Sequence, residues 1–299
     1  MLPLLVLSLT AQQAAIRALA DQDLRVATVG ARLAQAAGPD FCPGQYLSTA
    51  GLVLQDSAQY SAATRDDAHA VLALGDGPTV VGIADGATAQ DMKLGDVIAT
   101  VNGIAITKKP GAYARVAQVE DALEGAPSTP VMLDVRRGGA LQRVPLTRVA
   151  GCRSRFQIVR GGLGATQADG RYVQISEAMM ALATDDDALA AVMAHELSHN
   201  ILRHTALKTS SKQSEYEADA LSVRLVARAG YSLDAVLPFW TALRKRSDYG
   251  IFADGSHPGW RQRLAALAEA VEKVKARRVE GKDLVPTAQQ STSQPEIRR

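Results

Sequence analysis

Apolar positions divide the chain into stretches of different period. Over residues 14–37, Ile16, Leu19, Leu24, Val26, Val29 and Leu33 recur at rough helical spacing and the run ends at Gly38-Pro39-Asp40, which predicts a helix or a broken helical pair. From about residue 70 the apolar runs shorten and glycine punctuates them: TVVGIA from Thr79, GDVIATVNG from Gly95, VMLDVRRGG from Val131 and QRVPLT from Gln142. These read as strands joined by turns. After about residue 161 one strand-like run, RYVQIS from Arg171, gives way to helical periods that last to about residue 280. The remainder, with VPTAQQSTSQPEIRR from Val285, is polar, carries two prolines and reads as a disordered tail. The expected architecture is α+β: an N-terminal segment (1–65), a β-rich domain (66–149), a mainly helical domain with a small edge sheet (150–280) and the tail (281–299).

Composition narrows the partners. The 299 residues hold 33 basic and 31 acidic side chains, a net charge of +2, and no basic stripe interleaved with aromatics, which argues against nucleic acid. No run approaches the roughly 18 to 20 apolar residues that span a bilayer, so no integral membrane segment is expected. Residues 2–10 (LPLLVLSLT) have the apolar character of a secretory signal but no preceding basic residue; a signal remnant and a buried mature segment both fit. Cys42 and Cys152 permit one disulfide or two buried thiols.

The chemistry concentrates in residues 184–204, TDDDALAAVMAHELSHNILRH. Thr184 is the expected cap, and Asp185, Asp186 and Asp187 meet the positive end of the helix dipole. On this helix His195 and His199 stand one turn apart on one face, as two ligands of a tetrahedral zinc ion require. Glu196, rotated by about 100°, is placed to act on water as a general base. His204, about 140° round from His199, is expected at the surface. A third ligand is sought in SEYEADALSVRLVARAG, a second helix that stops at Gly230. Glu215 is favoured over its rival Glu217 because Asp219 lies four residues on, able to orient a zinc histidine through its other nitrogen. Acidic residues in a first helical turn and histidines on a surface helix are the plainer reading of the same residues.

HELSH from His195, EYEAD from Glu215 and HPGWRQR from His257 together resemble the gluzincin metallopeptidase family that includes the CAAX prenyl protease, HtpX and BepA. The resemblance covers about residues 150–265. It implies one Zn2+ per chain held by His195, His199 and Glu215, with Glu196 activating water. It also implies His257 and Arg263 near the active site, stabilising the oxyanion or, for His257, blocking the metal. It makes Tyr172, Val173, Gln174, Ile175 and Ser176 the edge strand on which an extended substrate pairs. Only 15 residues separate His199 from Glu215, fewer than in many relatives, which implies a more open site, and the lack of membrane helices points to the soluble branch. VVGIADGATAQDMKLGDVIATVNGIAI from Val80 resembles a PDZ domain of bacterial proteases, which implies binding of peptide C-termini or extended peptides; a spacer or docking role is the alternative.

The expected function is that of a zinc metalloendopeptidase acting on unfolded or flexible protein segments, with the PDZ-like domain recruiting or gating substrate. The alternative is a latent peptidase serving as a peptide-binding, chaperone-like adaptor. A purely structural zinc site is a weaker third reading, since such sites favour closed sets rich in cysteine. The apolar N-terminus and the cysteine pair favour the periplasm or cell envelope over the cytoplasm.

Overall fold

The computed structural model describes residues 9–87, 89, 91–107, 111–126, 130–207, 211–246 and 259–280. Helix α1 (Ala11–Phe41) opens on a reciprocal cap: Thr10 Oγ1 accepts from Gln13 N, and Gln13 Oε1 accepts from Thr10 N. Its periodic apolar face is buried, with Val26, Val29 and Leu33 wholly covered. The helix breaks at Gly38, whose φ of 45° and ψ of −154° are non-helical, so the broken pair is what forms.

The chain then leaves the helical body for a β-rich unit: β1 (Leu52–Gln55), α2 (Arg65–Leu72), β2 (Thr79–Ile83), β3 (Val97–Val101), β4 (Ile104–Ala105), α3 (Ala114–Glu124), β5 (Val131–Arg137) and β6 (Ala140–Leu146). The antiparallel order is β1-β2-β3-β5-β6, with β4 paired to β3. Asn102 and Gly103 both have positive φ, 49° and 78°, as a two-residue hairpin turn demands. Val131, Leu133 and Val135 alternate into a core closed by Val119 and Leu123 of α3. The sheet takes in β1, ahead of the expected boundary at residue 66; the run is only four residues long and carried too little period to be read.

The unit returns where it left. Leu47 N donates to Val149 O (2.9 Å), Gly151 N donates to Gln45 O (3.2 Å), and Cys42 and Cys152, 110 residues apart, form a disulfide. A neck of two paired segments and a covalent bond therefore joins it to the body.

The body continues with β7 (Arg155–Val159), β8 (Gln167–Ala168), β9 (Tyr172–Ser176), α4 (Glu177–Leu182), α5 (Asp186–Ile201), α6 (Lys212–Arg228), α7 (Val236–Arg246) and α8 (Trp260–Val279). The small sheet runs β7-β9-β8, with β9 parallel to β7 and antiparallel to β8. This corrects one expectation: Tyr172, Val173, Gln174, Ile175 and Ser176 form the central strand, with Val173 and Ile175 wholly buried. A tight turn is the cause. Asp169 Oδ1 accepts from Arg171 N and Tyr172 N while Gly170 takes a φ of 96°, folding β8 back onto β9. Among the described residues β8 is thus an edge.

Helix α5 runs through the centre of the body, and its residues from Ala188 to Leu197 are buried except Glu196. Its cap is Asp185, whose carboxylate accepts from Ala188 N (2.8 Å), one residue later than the expected Thr184. Asp185 is the extended residue three before that N–H, so its side chain is the one in reach. Among the described residues no helix is long and apolar enough to cross a membrane.

Candidate metal centre

One turn of α5 separates His195 and His199, and their Nε2 atoms approach to 3.1 Å. Glu215 reaches them from α6, with its two carboxylate oxygens 3.5 Å from His195 Nε2 and 3.5 Å from His199 Nε2. Each of the three offers a ligand atom within 4.8 Å of the others. Ser211 sets where α6 begins: its hydroxyl accepts from Ser214 N, and Ser214 Oγ accepts from Ser211 N. That start puts Glu215 in the first turn and Asp219 one turn deeper.

Asp219 Oδ1 lies 3.0 Å from His195 Nδ1. The same carboxylate accepts from Arg263 Nε (2.9 Å) and Nη2 (3.0 Å), donated from α8. Arg263 is 2% exposed and lies over the Trp240 ring at 4.2 Å, so it is neither a solvated helix residue nor aimed at open solvent. Its Nη1 is 3.6 Å from Glu215 and its Nη2 3.1 Å from His195 Nε2. His257 lies outside the described residues, as do residues 1–8 and the 281–299 tail.

His204 departs from its expected surface position. It is 6% exposed, and its Nδ1 lies 3.0 Å from His199 Nδ1. The helical extrapolation fails because α5 ends at Ile201: Arg203 takes a left-handed φ of 59°, Arg203 N donates to Asn200 O and His204 N donates to His199 O. This is a Schellman turn with arginine where glycine is usual, so no glycine marked it in advance. Glu217, the rival ligand, faces His204 Nε2 at 3.3 Å and accepts from Gln213 Nε2 at 2.9 Å.

The environment polarises these groups. Burial pushes the Glu196 carboxyl above its usual range. Burial and Arg263 pull His195 down, but its hydrogen bonds to Asp219 and Glu215 outweigh them and raise it to about 9. Burial, with His195 beside it, lowers His199 to about 3. Burial also opposes ionisation of Glu215, yet the His195 hydrogen bond and the charges around it hold the carboxyl below its usual range. Two imidazole nitrogens and a carboxylate, each imidazole backed through its other nitrogen, fit a zinc ion with a position left for water or substrate. Glu196 faces the same cleft, of about 550 Å³, whose walls include Gln167 and Ala168 of β8, Val192, Trp240 and Arg263.

Comparison with protein families finds a match to peptidase family M48 over residues 163–214 and 206–271. Those spans contain His195, Glu196, His199, Glu215, Asp219 and Arg263. The match supports the M48 metallopeptidase family, whose members are metal-dependent proteases. No curated protein matches the chain.

Proposed function

We propose that the chain is a zinc-dependent metalloendopeptidase that cuts unfolded or flexible protein segments, of the branch of its family near BepA and HtpX. The observation that carries this is the convergence of His195, His199 and Glu215 beside Glu196 in one cleft. His195, His199 and Glu215 would hold the ion. When bound, zinc supplies Lewis-acid polarisation of the scissile carbonyl and acidifies water. Glu196 takes the proton of the attacking water and returns it to the leaving amine. Asp219 holds the His195 ring through Nδ1. Arg263, expected beside the oxyanion, has its guanidinium engaged with Asp219, and its part is to keep that carboxylate charged and in place.

Substrate would lie along β8, the edge strand that lines the cleft, through main-chain hydrogen bonds that need an extended segment. The β-rich unit is read as a PDZ-like module that delivers peptide segments or their C-termini. The Cys42–Cys152 disulfide supports the periplasm or cell envelope, where such bonds persist.

The test is casein digestion by the zinc-loaded chain beside Glu196→Gln, with zinc content measured for both. Cleavage should fall by about 10²- to 10⁴-fold in the variant while zinc stays at one per chain. Zinc-loaded parent protein that leaves casein intact would turn the reading to the latent adaptor.

A further inference from the structure

The second zinc histidine has a dedicated orienting partner that helical geometry hides. We propose that His204 positions His199 and sets its tautomer, through a proton-ordered relay from His199 Nδ1 to His204 and on to Glu217. This rests on reading the centre as a zinc site.

Each ring nitrogen has one proton to give or one lone pair to offer. His199 and His204 meet Nδ1 to Nδ1 at 3.0 Å, so one nitrogen donates and the other accepts. Ligation through His199 Nε2 leaves its proton on Nδ1, which makes His204 Nδ1 the acceptor and puts the His204 proton on Nε2. That Nε2–H then faces the Glu217 carboxylate at 3.3 Å. The opposite order fails twice. It would place a proton on His199 Nε2, the atom that faces His195 and Glu215, and would set the His204 Nε2 lone pair against a carboxylate. The placement of the Glu217 oxygens, one against His204 Nε2 and the other accepting from Gln213 Nε2 at 2.9 Å, therefore selects the arrangement in which His199 Nε2 is open to a cation.

The fold supports this placement. The Schellman turn after Ile201 brings His204 N onto His199 O at 3.0 Å, so main chain and side chain of one residue both secure His199. His195 has the analogous partner in Asp219, but there the carboxylate touches the ring directly and is 2% exposed. For His199 an imidazole intervenes, and its carboxylate is 48% exposed. His204 acts through His199 and is a positioning residue.

The test uses His204→Asn, His204→Gln and His204→Leu in the full chain. Zinc dissociation constants are read by competition with a chromophoric chelator, and unfolding of the zinc-free proteins is followed in parallel. The Asn side-chain oxygen sits where Nδ1 accepted, whereas Gln places its amide where Nε2 was. Leu and Gln should weaken zinc binding by about 10- to 100-fold, and Asn should recover most of it. Equal affinity in all variants, or Asn no better than Leu, overturns the relay. A merely structural role would show instead as parallel losses in zinc-free stability without the split between Asn and Gln. Failure of the unaltered chain to bind zinc would remove the metal reading and the relay together, whereas tight binding by parent and variants alike removes the relay alone.

Discussion

Arg155 and Arg263 are almost equally buried, at 3% and 2% exposed, yet their surroundings differ in kind. Arg155 on β7 donates to Glu120 (2.8 Å), Asp121 (2.7 Å) and Glu124 (2.7 Å) of α3 and to Tyr172 Oη (3.0 Å), while Arg171 adds bonds to Asp121 and Glu124. Apart from the Tyr172 hydroxyl, guanidinium faces carboxylate, and the cluster ties the β-rich unit to the helical body. Around Arg263 the guanidinium meets Asp219 at hydrogen-bond distance and Glu215 more loosely, at 3.6 Å. Beside it two imidazole nitrogens stand 3.1 Å apart with a carboxylate 3.5 Å from each, and a proton or a cation must lie between nitrogens that close. Burial of charge is thus common to architecture and to chemistry. What separates them is whether donors and acceptors are balanced within the cluster.

The largest effect that tests this contrast is removal of zinc. Denaturant unfolding in free zinc at about a thousand times the dissociation constant should show about 4 kcal/mol more stability than in chelator, and Glu215→Gln should erase most of that increment. An unaltered chain with no increment would make the two clusters alike.

Next in size is Arg155→Met, which takes the guanidinium from Glu120 at the seam, leaves Glu124 with that of Arg171 and should cost about 3 kcal/mol. The loss should be the same with zinc and with chelator. A zinc increment that shrinks in this variant would show that seam and centre are coupled through β7 and β9.

The smallest effect comes from Asp23 of α1, a covered carboxyl whose hydrogen-bond partner is an amide, Gln55 Nε2, at 3.0 Å. Burial, only partly offset by that bond, raises it to about 6 from 3.8. Between those values the unfolded chain has lost a proton that the folded chain keeps, so stability falls as pH rises through the window and the penalty persists above it. Asp23→Asn has no such penalty. Its stability relative to the parent should grow by about 2 kcal/mol from pH 4 to pH 7 in thermal unfolding, and a flat difference would place the carboxyl in a more watery setting than its burial implies.

Legibility in the sequence followed range. The α5 helix, the strand runs from Thr79 to Leu146 and the Asn102-Gly103 turn were readable because period and turn chemistry act over a few residues. Glu215 and Asp219 were readable as candidates because four-residue spacing puts them on one helix face. β8 was not, since two residues carry no alternation, and its pairing with β9 moved the expected edge from Tyr172–Ser176 to Gln167–Ala168. The burial of His204 was hidden by a helix stop at arginine rather than glycine.

By itself the sequence determined which residues could share a helix face, where hairpins turn and which side chains have the chemistry of zinc ligands. Tertiary structure alone decided that Cys42 meets Cys152 across 110 residues, that Arg263 reaches Asp219 across 44, and that Glu217 faces a histidine instead of the donor set. The reason is physical: local preferences depend on neighbouring dihedrals and nearby caps, whereas these partnerships form only once packing has brought distant segments together and excluded the water that would otherwise satisfy them.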